Sequence, residues 1–167
     1  MQQAWDAALA ALQPSARDLE HGLALHAAAV VIDSYGFAPT MAADTTALEA
    51  AADRGAARPE LSDRHEEMYM LLGIDDEGER REFMDAWDAA GVTCIFQNAG
   101  AEANSVKRLL RRLAYYTRLT DVMPEFCPKA VEPDDIATAH GTGRHCLYFS
   151  ANGVPLAEDW GSAEAEL

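Results

Sequence analysis

The chain reads as an α/β protein whose parallel sheet is covered by helices on both faces. Three observations predict this. Residues 29–32, 92–98 and 145–150 are apolar runs with the composition of buried strands. Each run breaks abruptly into Asp, Asn, Ser, Gly or Pro, which do not continue a central strand. Helix-patterned segments separate the runs, giving the strand-loop-helix alternation of parallel sheets.

The elements follow in order. Residues 3–13 are strong helix formers that stop at Pro14. Ser15 can cap a second helix, with Asp18 in its first turn, running to about His26. The first strand starts at Ala29 and ends in Asp33-Ser34-Tyr35-Gly36-Phe37. An Ala-rich helix is expected over 45–54 and a short one over 61–72, stopped by Gly73. A clearer helix spans 76–90, with Phe83, Met84, Trp87 and Ala90 at helical spacing and Gly91 as its C-terminal cap. The second strand follows at once. Asn104 or Ser105 then caps the best helix in the chain, whose stripe is Val106, Leu109, Leu110, Leu113, Tyr116 and Leu119. Lys129-Ala130-Val131 is a short extended piece. Pro133-Asp134-Asp135 opens a helix that ends at Gly141 and Gly143, ahead of the third strand. Residues 162–167 read as the first turn of a further helix.

Bulk properties bound the function. A chain of 167 residues makes one ordinary domain, and 49% apolar residues argue for a folded core. Thirteen basic against 28 acidic residues leave a formal charge of −15, which repels nucleic acid and anionic membrane surfaces. No signal peptide or membrane anchor is visible, because the most apolar stretch, 23–32, contains His26 and is too short to span a bilayer. Cys94, Cys127 and Cys146 are too few and scattered for a disulfide framework. Cys94 and Cys146 lie inside apolar strands and read as buried and inert. A reduced, cytoplasmic setting is expected, with homo-oligomerisation an open possibility.

The order of segments also carries a resemblance. A helix ending in Ala-Gly-Val-Thr, then "CIFQNAG", a helix, "PEFCPKAVEPDDIATAHGTGRH" and "CLYFSANGVPL" resemble the membrane dipeptidase (renal dipeptidase-like) family from about residue 23 onward. These are metal-dependent peptidases of the amidohydrolase type built on a (β/α) barrel. The resemblance implies an N-terminal helical extension over 1–28. It makes 29–167 the N-terminal portion, about three strands, of a TIM-like barrel with parallel strands, continuing beyond the C-terminus. It also implies hydrolysis of dipeptides or related amides by metal-activated water.

The family's first strand ends in Asp-Gly-His-x-Asp, whose His and Asp bind zinc. Here Tyr35 and Phe37 stand at those two positions. The family's third strand ends in a Glu that bridges two zinc ions, and Ala151 stands there. Zinc takes lone pairs from imidazole, thiolate or carboxylate, which Phe37 and Ala151 lack. A phenol with a pKa of about 10 is a poor ligand near neutrality. The two-metal site is therefore not expected from this chain, and zinc would need ligands from later strands in a longer protein. A non-catalytic relative acting as a binding or assembly protein is the alternative. A complete small α/β binding domain is disfavoured, since no glycine-rich phosphate loop follows any strand.

In α/β folds, ligands gather at the C-terminal strand ends. Tyr35, Gln97, Asn98 and Asn152 are accordingly the candidate substrate-binding residues, toward a small dipeptide-like molecule. The plainer reading is that Asp33 and Asn98 cap loops and Tyr35 packs. Asp63-Arg64-His65-Glu66-Glu67 could hold a metal, but adjacent His65 and Glu66 point about 100° apart on a helix, so a solvated face is expected. The basic stripe Lys107, Arg108, Arg111, Arg112 and Arg118 reads as a solvated face, with local salt bridging or partner docking as alternatives. His140 and His145 fall at the N-terminal, stability end of the third strand, and His21 and His26 read as packing or surface residues. A three-strand sheet cannot close, so Val30, Ile32, Cys94, Phe96, Leu147 and Phe149 are expected to face water or a partner.

Overall fold

The apolar runs become the strands of a single sheet in the computed structural model, which describes residues 2–100 and 106–152. Among these residues the order is α1 (Gln2–Leu12), α2 (Ala16–Ala28), β1 (Ile32–Gly36), α3 (Thr45–Asp53), α4 (Arg58–Asp75), α5 (Glu77–Ala90), β2 (Cys94–Gly100), α6 (Val106–Val122), β3 (Lys129–Ala130), α7 (Pro133–Gly141) and β4 (Cys146–Ala151). The strands are all parallel, in the order β1-β2-β4-β3. Ile32 pairs with Cys94 and Cys94 with Cys146, so the three long strands start level. The short piece at Lys129 is a fourth strand on the outer edge of β4 rather than between β2 and β4.

Capping explains most helix starts. Ser15 Oγ accepts the Asp18 N–H at the head of α2, and Asp44 and Asp76 do the same for α3 and α5. Asp135 takes the N–H groups of Val131 and Glu132 at the head of α7, and both bonds lower its pKa. Gly91 ends α5 in the left-handed conformation that a Cβ disfavours. Gly73 does not stop its helix. It lies inside α4, where an added Cβ would meet the Arg80 backbone at 3.0 Å, so its role is close packing of α4 on α5. The expected cap of α6 at Asn104 or Ser105 and the helix over 162–167 lie outside the described residues.

Strand alternation sends successive side chains to opposite faces. Ile95 and Leu147 meet Leu71 of α4, Phe83 and Trp87 of α5, and Tyr116 and Leu119 of α6, which form the main core. Trp87 is wholly enclosed, and its indole N–H donates to the Val92 carbonyl at 2.8 Å. Cys94 and Cys146 point the other way, into a smaller cluster with Ala130 and Ala139 of α7. Both faces are thus covered, though unevenly.

That unevenness corrects two expectations. The first strand is not buried on both faces: β1 is an edge strand, and Ile32 is 44% exposed. Conversely, Cys94 and Leu147 are not left facing water, because α7 closes over one and the α4–α6 layer over the other. Val30 remains exposed as expected. Leu110, placed in the α6 stripe by spacing, faces outward instead.

Candidate functional site

Three strand ends meet at the C-terminal edge of the sheet. The Asn152 side-chain amide donates to the Tyr35 hydroxyl, and the Asn152 backbone N–H donates to Asn98 Oδ1 at 3.2 Å. Residues leaving β1, β2 and β4 are therefore joined in one hydrogen-bonded string. Tyr35 and Asn152 are exposed, whereas Asn98 is buried. Tyr35, Asn98 and Asn152 are brought together as their strand positions predict.

Asn98 also opens onto a cleft of about 280 Å³. Phe37 and Thr40 from the loop after β1 form one wall. His65, Glu66 and Tyr69 of α4 and Arg108, Arg112 and Tyr116 of α6 form the others. The two helices are held together by ion pairs. Glu66 accepts from Arg112 Nε at 2.5 Å and from Arg108 Nη2 at 3.2 Å, and its side chain is only 12% exposed. One turn away, Arg111 pairs with Asp63 at 2.5 Å, a hydrogen bond that raises the guanidinium pKa further. The Asp63–Glu67 stretch is thus not simply a solvated face, and Arg108, Arg111 and Arg112 of the basic stripe make local salt bridges. His65 stands on the cleft wall with its ring 4.8 Å from that of Tyr69.

Gln97 is placed differently from its neighbours. It is 1% exposed, and its amide is spent within the protein. Its Oε1 accepts the Ala38 N–H at 2.5 Å, and its Nε2 donates to the Tyr116 hydroxyl at 2.7 Å. Of the four candidate residues it is the one whose amide ties the loop after β1 to α6. Gln97 and Asn98 both reach the α4–α6 side, Asn98 on the cleft wall and Gln97 through Tyr116, but the Gln97 amide is already engaged by Ala38 and Tyr116. Burial raises the Tyr116 phenol to about 12.

Three residues stand where the resemblance would set metal ligands. Phe37 and Ala151 carry no donor atom, and the Tyr35 hydroxyl accepts the Asn152 amide. At the opposite end of the sheet, His145 is a structural residue. Its Nδ1 donates to the Val92 carbonyl at 2.7 Å, its Nε2 meets Asp88 at 2.8 Å, and its ring stacks on Trp87. His140 contacts the Thr93 hydroxyl at 3.4 Å there, and His26 lies at the surface beside Gly91. Among the described residues no helix is long and apolar enough to cross a membrane. No protein-family model, curated protein or solved structure matches this chain.

Sequence reasoning missed Glu66, Arg108, Arg112 and Tyr69 as cleft residues. One signal was available: acids at i and i+3 on α4 and bases at i, i+3 and i+4 on α6 form complementary stripes.

Proposed function

We propose that this chain binds a small dipeptide-like molecule at the C-terminal ends of its strands, as a membrane dipeptidase-like protein whose strand ends have given up the family's metal ligands. The observation that carries the reading is the Tyr35–Asn152–Asn98 string meeting the cleft at Asn98. Side-chain amides and a phenol supply the donors and acceptors that a peptide group needs. Phe37 and Tyr69 offer apolar surface for a ligand side chain. Arg108 and Arg112 supply planar guanidinium groups, which a ligand carboxylate reaches by joining their pair with Glu66. The cleft sits just below the usual size of small-molecule pockets, about 300–1,000 Å³, which favours a two-residue ligand over a longer peptide.

Parallel strands joined through helices support the barrel reading, while the placing of β4 between β2 and β3 departs from the consecutive strand order of such a barrel. Hydrolysis is not assigned to these residues, because Phe37 and Ala151 offer nothing to hold a metal. Calorimetric titration with L-alanyl-L-alanine and with its C-terminal amide tests the reading. Saturable binding of the acid is expected, with the amide about 10-fold weaker, equivalent to about 1.4 kcal/mol. Asn98→Ala should weaken both. Absence of saturable heat with either peptide overturns the proposal.

A further inference from the structure

Cys94 and Cys146 open β2 and β4 and face each other directly in the sheet register. Both are fully buried in the small cluster beneath Ala139 of α7. Neighbouring strands lie about 4.7–4.9 Å apart, inside the Cα separation of about 4.4–6.8 Å that a disulfide spans. The neighbouring thiols perturb each other, lowering the pKa of Cys94 and raising that of Cys146, while the Cys146 thiol donates to the Thr93 carbonyl at 3.6 Å. Cys127 is equally buried but lies apart from the pair. It lies in the main core, and burial alone pushes it up to about 12. Composition made Cys94 and Cys146 look inert, yet their register makes them partners.

We propose that Cys94 and Cys146 form a two-electron redox pair, oxidised by a hydroperoxide to a disulfide that ties β2 to β4. In the first step the Cys94 thiolate attacks one peroxide oxygen. The O–O bond breaks, and hydroxide leaves with the bonding pair and takes up a proton to become water. The product is a sulfenic acid on Cys94. Cys146 then gives up its proton and attacks that sulfur; the S–O bond breaks and a second water leaves. Two thiols and one hydrogen peroxide become one disulfide and two waters. Because α7 covers the pair, its local opening gates access, and oxidation runs more slowly than for a free thiol.

The test is treatment of the folded, reduced protein with hydrogen peroxide, followed by unfolding, alkylation and mass spectrometry. Before alkylation the mass should fall by two hydrogens, and the alkyl groups taken up should drop from three to one. The cross-linked peptide should join Cys94 to Cys146, Cys127 should be alkylated, and dithiothreitol should restore all thiols. Cys127→Ser should still form the bond. Cys146→Ser should stop at a Cys94 sulfenic acid that dimedone traps. Three unreacted thiols, a cross-link through Cys127, or sulfinic acid without a cross-link would each overturn the proposal. Should Cys146→Ser fail to fold, the Cys127→Ser result decides alone.

Discussion

Replacing Gln97 with leucine removes one amide and leaves two buried groups stranded. The Ala38 N–H loses its acceptor and the Tyr116 hydroxyl loses its donor, both at sites less than a tenth exposed. A buried polar group without a partner costs about 1–3 kcal/mol, so Gln97→Leu should destabilise the fold by about 2–6 kcal/mol. That is a large share of the stability of an ordinary domain, about 5–15 kcal/mol. For a chain of this length, each kcal/mol shifts Tm by roughly 2–4 °C. The double-mutant cycle with Tyr116→Phe sharpens the test. Removing the phenol as well as the amide deletes both partners of the 2.7 Å bond, so the double variant should be more stable than the sum of the single losses by about 0.5–3 kcal/mol. Urea unfolding followed by circular dichroism measures all four corners. A loss below about 0.5 kcal/mol for Gln97→Leu, within the range of surface substitutions, would refute the tie between the loop after β1 and α6.

Three further outcomes are expected. Asp135 has a depressed pKa in the folded chain, so its contribution is complete above the ordinary carboxylate value and is lost as pH falls through the folded one. Asp135→Asn should therefore flatten the acid limb of a stability–pH profile and leave the profile's shape above pH ~6 unchanged. Tyr116, at about 12, should be the last tyrosine to ionise in an ultraviolet titration. The unfolded phenol ionises near 10, so stability tied to Tyr116 is present below that value and lost as pH rises toward 12. Gly73→Ala should lower Tm, because the new methyl meets Arg80 backbone at 3.0 Å; Gly22→Ala, with nothing within 4 Å in α2, should raise helicity.

The strands were legible where apolar runs had no other use. Val92 to Asn98 and His145 to Ser150 became central strands because nothing but a sheet interior suits them. Edge position was not legible. Val30 and Ile32 share the apolar composition of Ile95, yet they are exposed, as expected for an open sheet, and β1 is the edge strand among the described residues. Gly73 looked like a stop because glycine often is one, whereas here close packing against Arg80 required it. The site was half legible. Tyr35, Asn98 and Asn152 could be placed together because parallel strands put their C-terminal ends on one edge. Glu66 and Arg112 stand 46 residues apart, and only the packing of α4 on α6 brings them into one wall. The engagement of Gln97 was not legible, because its partners Ala38 and Tyr116 lie 59 and 19 residues away and only packing brings them to its amide.

Titration of isotopically labelled protein with L-alanyl-L-alanine, followed through the side-chain amide resonances, tests ligand binding at the strand ends most directly. The Asn98 and Asn152 amides should shift together and saturate at one ligand concentration, while the enclosed Gln97 amide responds far less. Unmoved Asn98 and Asn152 resonances, or shifts confined to the opposite end of the sheet around His140 and His145, would contradict the account.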